Sequence, residues 1–204
     1  MEKISAGITK AAGELARGRK ADHRAAQAIL TTDKVIKEAA YQVTLKDGTV
    51  VTVAGMAKGS GMISPSMKVQ HATTLSFITT DAVLTRPPEE RWQEAIDRSF
   101  NVINVDGDQS TNDISAFMAN GAAGGPPVDD DKEFWNAVTK VAQSLAKQVV
   151  TDGEGATKLI ELKVSGAKDA ADARRAGRWI ISSSLVKTAV FGADPNFGRV
   201  LAAL

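Results

Sequence analysis

The spacing of apolar residues changes character several times along the chain. Ile4, Ile8, Ala11, Ala12 and Leu15 recur at helical intervals from Glu2 to about Arg17, and Gly18-Arg19-Lys20 interrupts them. An Ala-rich run from Asp22 to Leu30 predicts a second helix, ending at Thr31-Thr32-Asp33. The period then shortens to two. Tyr41 to Leu45 and Val50 to Val53 alternate around Lys46-Asp47-Gly48-Thr49, and Asp-Gly between β-rich runs predicts a hairpin. Leu75 to Asp81 predicts a further strand. Pro87-Pro88-Glu89-Glu90 suits a helix start, with Trp92, Ala95, Ile96, Ser99 and Phe100 as its apolar stripe.

Further along, Val102 to Val105 predicts a short strand, and Thr111-Asn112-Asp113 predicts a cap for a helix through Gly121. Gly121 to Pro127 has linker composition. Asp129 to about Val150 predicts a long helix, because Phe134, Val138, Val141, Ala142, Leu145 and Val149 share one face. Leu159 to Val164 predicts a strand, Asp169 to Val190 mainly helix, and Asp194-Pro195 opens a last helix toward Leu204. The chain shows no internal repeat. This mixture predicts an α+β layered fold.

Composition narrows the function. The 204 residues are 43% hydrophobic, enough for one globular domain or two small ones. With 25 basic and 24 acidic residues the net charge is +1, so no overall field favours nucleic acid or an anionic membrane. The absence of Cys rules out disulfides and thiolate chemistry. No apolar run approaches the roughly 18 residues needed to span a bilayer, and Met1 to Ser5 lacks a signal pattern. A cytoplasmic protein is the expectation. His23 sits in charged company and predicts helix surface, and His71 is the other histidine.

The chemically distinctive stretch is Ala72-Thr73-Thr74-Leu75, which follows the glycine-rich run Gly55 to Pro65. A small residue before Thr, after a loop and before a strand, is what a self-cleaving threonine nucleophile needs. Cleavage at Ala72–Thr73 places the Thr73 hydroxyl beside a free α-amine of pKa about 7.7–8.0. That amine can act as the base for its own side chain, with no His or Asp partner. Lys58-Gly59-Ser60-Gly61 offers backbone amides and a cation, yet its order is not that of a phosphate-binding P-loop. Asp106 to Asp113 lacks the Gly at position six and the Glu at position twelve of a calcium loop, where Thr111 and Phe117 stand. Glu154 lies between Gly153 and Gly155, which free the backbone to present a carboxylate.

In order along the chain, these runs resemble the ornithine acetyltransferase family, self-processing enzymes of arginine biosynthesis. The matching pieces are Ile29 to Asp33, Gly55 to Ile63, Ala72-Thr73 with Thr79-Thr80-Asp81-Ala82, Ser99-Phe100-Asn101, Asp106-Gly107-Asp108, Ser110 to Asp113, Asn120-Gly121, Asp152 to Ile160, Leu185 to Ala189 and Gly192 to Asn196. The resemblance implies cleavage into an α part, 1–72, and a β part, 73–204, which pair and assemble as a heterotetramer. It implies that Thr73 takes an acetyl group from N-acetylornithine and passes it to glutamate. Some members also use acetyl-CoA as donor; no other cofactor and no metal is implied. Substrate contacts map onto Thr31 or Thr32, Lys58, Thr73 and Glu154, with Lys58 suited to a carboxylate and Glu154 to an ammonium.

Two departures from the family pattern stand out. Lys68-Val69-Gln70-His71 intervenes between Met67 and Ala72, and Ser66 replaces the usual Asn. The family's Thr-Gly oxyanion pair lies upstream of the segment matching Met1, and its C-terminal Asn and Ser/Thr contacts beyond Leu204, so the chain is expected to be the central part of such an enzyme. Two rivals stay open: a non-catalytic or inactive fragment, and a self-processing aminopeptidase in which water takes the acyl group.

Overall fold

The computed structural model describes residues 2–65 and 73–204. Its centre is a four-stranded mixed sheet in the order β1-β2-β3-β4, made of Lys37–Thr44, Val50–Lys58, Leu75–Thr80 and Ile114–Ala119. The expected hairpin joins β1 and β2 antiparallel, Lys37 opposite Ala57 and Thr44 opposite Val50. Asp47 closes its turn by accepting from the Thr49 amide and hydroxyl at 3.0 and 2.8 Å. β3 runs antiparallel to β2, with Leu75 opposite Lys58.

The helix expected over Thr111 to Gly121 is instead the strand β4, parallel to β3, with Leu75 opposite Ile114. Ser115 and Phe117 turn to the helix-covered face with Ser76 and Ile78, an alternation that suits a ladder and not a helical stripe. Asp113 therefore caps no helix, and its carboxylate is used elsewhere.

The described residues form seven helices: α1 Glu2–Gly13, α2 Arg19–Ala28, α3 Glu89–Asp97, α4 Lys132–Thr151, α5 Ala170–Ser182, α6 Ser184–Phe191 and α7 Phe197–Ala202. α4 is the organising helix. Asp131 caps it by accepting from the Phe134 amide at 2.9 Å. Its predicted face, Phe134, Val138, Val141, Ala142, Leu145 and Val149, is fully buried against Val51, Val53 and Ile78. Each of the larger side chains among them contributes about 1.5–3 kcal/mol through burial. Gly55 permits the close approach, since a β-carbon there would lie 2.9 Å from Ile78 and 3.0 Å from Leu145. Phe117 links β4 to this core, stacking on Trp92 at 5.3 Å and on Trp135 at 5.6 Å. The fold is α+β, a sheet with helices layered on it.

Other expectations change with tertiary context. Val102 to Val105 is not a strand. Phe100–Val102 forms a 3-10 turn, and the Val105 amide makes a lone loop contact to the Ile63 carbonyl at 2.6 Å. Leu159 to Val164 pairs with no strand among the described residues, and without a ladder its alternation cannot become sheet. The long helix expected over Asp169 to Val190 breaks at Ser183, whose extended backbone lets its hydroxyl cap α6 through Val186 at 3.3 Å. The apolar stripe of α1 meets no core: none of its residues is buried. No helix among the described residues is long and apolar enough to cross a membrane.

Candidate active site

One end of the sheet, where β2 finishes and β3 begins, collects most of the residues singled out above. Lys58 closes β2 and is buried, and its Nζ donates to Thr31 Oγ1 at 3.4 Å. Thr31 and Thr32 both lie exposed on the loop before β1. Beyond Lys58 the chain turns through Gly59, Ser60 and Gly61. The Glu154 amide donates to the Ser60 carbonyl at 3.0 Å, and Ser60 Oγ donates to the Asp152 carbonyl at 2.9 Å. The Glu154 carboxylate lies over Gly61, where a β-carbon would come within 2.9–3.0 Å of it. Glu154 is itself exposed, free to meet a ligand.

Thr73 lies at the entrance to β3, half-buried, and its hydroxyl oxygen is fully buried with no hydrogen-bond partner among the described residues. Thr74 follows, against Gly59. Its backbone amide donates to the Asp113 carboxylate, and its carbonyl accepts from the Ile114 amide at 3.0 Å. Ala72 and His71 lie outside the described residues. His23 is on the surface as expected, at 2.9 Å from Glu38.

The loops around this end are held by charges that sequence reasoning left without a role. Lys37 is fully buried at the start of β1, and its Nζ donates to Asp33 at 2.6 Å, Asp152 at 2.7 Å and the Val35 carbonyl at 3.2 Å. Asp33 also accepts from the Gly59 amide at 2.7 Å and the Thr31 amide at 3.2 Å. Asp152 accepts from the amides of Lys34 and Val35 at 2.9 and 3.4 Å. Burial pushes both carboxyls up, but the Lys37 contact, these amides and the Lys37 charge outweigh it and hold both below the usual carboxylate range. The network thus joins the loop carrying Thr31, the turn after Lys58 and the turn carrying Glu154.

Two further clamps hold the run that leads toward Ala72. Asp106 accepts from the Met62 and Ile63 amides at 2.7 and 3.0 Å, which supports the left-handed backbone of Met62. Arg178 of α5 donates to Ser64 Oγ at 3.2 Å, the Pro65 carbonyl at 3.1 Å and the Asn101 carbonyl at 2.7 Å. Asp33, Asp106, Asp113 and Asp152 all lie in runs that carry the family resemblance. Their signal in the sequence was an acidic residue beside a turn, which names no partner.

Comparison with known proteins agrees with this order of residues. A family model described as the ArgJ family matches residues 1–204. The arginine biosynthesis bifunctional protein ArgJ of Symbiobacterium thermophilum is 50% identical over 208 residues, covering 100% of this chain and 50% of that protein. The mitochondrial protein of the same name from Schizosaccharomyces japonicus is 45% identical, covering 100% of this chain and 47% of its own length. A crystal structure of the Bacillus halodurans arginine biosynthesis bifunctional protein ArgJ superposes with a TM-score of 0.60 at 41% identity, over 62% of each chain. The chain spans about half the length of the curated relatives it matches. By the family match over its whole length and these identities, the chain belongs to the ArgJ family.

Proposed function

We propose that this chain carries the nucleophile and part of the substrate site of an acetyltransferase that moves an acetyl group from N-acetylornithine to glutamate. The observation that carries the reading is the convergence of Thr31, Lys58, Thr73 and Glu154 on one end of the sheet, with the Thr73 hydroxyl buried and unpartnered. The Ala72–Thr73 bond is first cut by the chain itself, giving parts 1–72 and 73–204 that stay paired and assemble as a heterotetramer. In the first half-reaction Thr73 Oγ bonds to the acetyl carbon. Its proton passes to the Thr73 α-amine and on to the ornithine amine as the amide C–N bond breaks. In the second, the glutamate amine takes the acetyl group and Thr73 Oγ regains its proton.

Lys58 pairs with a substrate carboxylate and Glu154 with a substrate ammonium. Acetyl-CoA as an alternative donor belongs to the same proposal, as does a cytoplasmic location.

The test is a trapped acyl-enzyme. After brief exposure to N-acetylornithine without glutamate, the peptide beginning at Thr73 is expected to be one acetyl group heavier, and glutamate should remove it. An acetyl group on another residue, or none, overturns the reading; release to water in place of glutamate converts it to a hydrolase.

Glu154→Ala tests the binding role separately. Self-cleavage is expected to continue unchanged while kcat/KM falls by about 10–100-fold, the loss of one charge-assisted contact. Unchanged steady-state kinetics would remove Glu154 from the site.

A further inference from the structure

The described residues hold three buried side-chain oxygens without a hydrogen-bond partner, and they belong to Thr73, Thr74 and Asp113. Orphaned buried polar atoms are uncommon in native proteins, and three on adjacent side chains call for an explanation. Asp113 is 5% exposed and ends the loop that leads into β4. One carboxylate oxygen holds the Thr74 amide, and the other, Oδ2, is the orphan. Parallel pairing of β3 with β4 fixes this arrangement, because Ile114 donates to the Thr74 carbonyl directly after Asp113.

The geometry points to Asp113 as the positioning residue for the nucleophile, a role that rests on self-cleavage before Thr73. Cleavage releases an α-amino group one residue from the amide that Asp113 already holds, and Oδ2 is the acceptor that amino group lacks. An amine N–H donated to Oδ2 turns the amine lone pair toward the Thr73 hydroxyl. This is the service a triad carboxylate performs for an imidazole, holding the base in register while remaining ionised. Before cleavage the carboxylate is buried, with no cation in contact among the described residues. Burial accordingly pushes its pKa up to about 6, with Thr74 and the charge of Lys58 pulling the other way. Lys58, from β2, is the charged side chain acting on it among the described residues.

The experiment compares the Asp113 carboxyl in uncut and cut protein, read as its carboxyl carbon NMR shift against pH. Uncut Thr73→Ala is expected to titrate near pH 6, and cut wild type well below, because the new ammonium favours the carboxylate. Asp113→Asn keeps an oxygen acceptor for the Thr74 amide but offers a donor where the amine needs an acceptor. In the cut form of that variant, acetyl transfer is expected to fall by about 10²-fold or more, and its acid limb should move away from the wild-type position. A cut wild type with an unmoved carboxyl titration, or an Asp113→Asn variant with a wild-type pH profile, overturns the assignment alone. A wild type that stays a single uncut species overturns the self-cleavage reading, and the assignment with it.

Discussion

Replacing Thr73 with alanine is expected to leave the chain as one uncut species and to lower acetyl transfer by about 10⁴-fold or more. The reason lies in what the site lacks as well as in what it holds. The chain has no cysteine. Around the entrance to β3, the buried hydroxyls without a hydrogen-bond partner among the described residues are those of Thr73 and Thr74. Only Thr73 gains an adjacent α-amine on cleavage, so only its hydroxyl gains a base. Intact mass reads the cleavage, and transfer from N-acetylornithine to glutamate reads the chemistry. Thr73→Ser should retain both, since the hydroxyl and amine survive. Thr74→Val is the control: the Thr74 hydroxyl gains no adjacent α-amine on cleavage, so cleavage should continue before Thr73 when it is removed. Cleavage that persists in Thr73→Ala, or stops in Thr74→Val, assigns the nucleophile wrongly.

The second large effect is on stability. Lys37→Met is expected to destabilise the fold by about 3–5 kcal/mol, because two buried carboxylates lose their shared cation. Lys37 and Asp33 are 0% exposed and Asp152 is 5% exposed, so solvent cannot replace the contact. The pH dependence should also weaken. In the wild type both acids titrate below their unfolded range, so their stabilisation is present above the unfolded carboxylate pKa and is lost as the pH falls through the folded values. Without Lys37, only the backbone amides oppose burial, so both pKa values rise relative to the wild type. The variant therefore loses less stability than the wild type as the pH falls toward 4. Adding Asp33→Asn and Asp152→Asn removes the stranded charges and should recover much of the loss. Denaturant unfolding at neutral and mildly acid pH checks all three statements. A Lys37→Met protein as stable as the wild type at neutral pH would show that the network contributes nothing.

The network also has a functional consequence. Asp33 holds the Gly59 amide next to Lys58 and the Thr31 amide, while Asp152 precedes Glu154 by two residues. Residues far apart in sequence are thereby fixed to one another, and if they bind substrate as proposed this lowers the ordering cost of binding.

Much of this was legible in the chain. The hairpin of β1 and β2 could be read because Asp47-Gly48 lies between alternating runs, and alternation is a local property. α4 could be read because its six apolar residues repeat at helical spacing and its cap, Asp131, stands just before them. The place of Thr73 at the entrance to a strand could be read because the β-rich run from Leu75 follows it directly. The misreadings share one cause. Thr111-Asn112-Asp113 has the residue types of a helix cap, but its Asp is taken by Thr74, which arrives from a strand 39 residues away. Leu159 to Val164 has strand alternation, but sheet requires a partner edge that local sequence cannot supply.

The sequence by itself determined the element types with local signals, the absence of thiol chemistry, the family, and the nucleophile to test. Only the tertiary structure decided that Asp33, Lys37 and Asp152 form one buried network, that Glu154 lies over Gly61, and that Asp113 holds the Thr74 amide. Burial and long-range pairing create those relations. A carboxylate's role depends on which distant amide or ammonium meets it once water is excluded, and no spacing along the chain encodes that meeting.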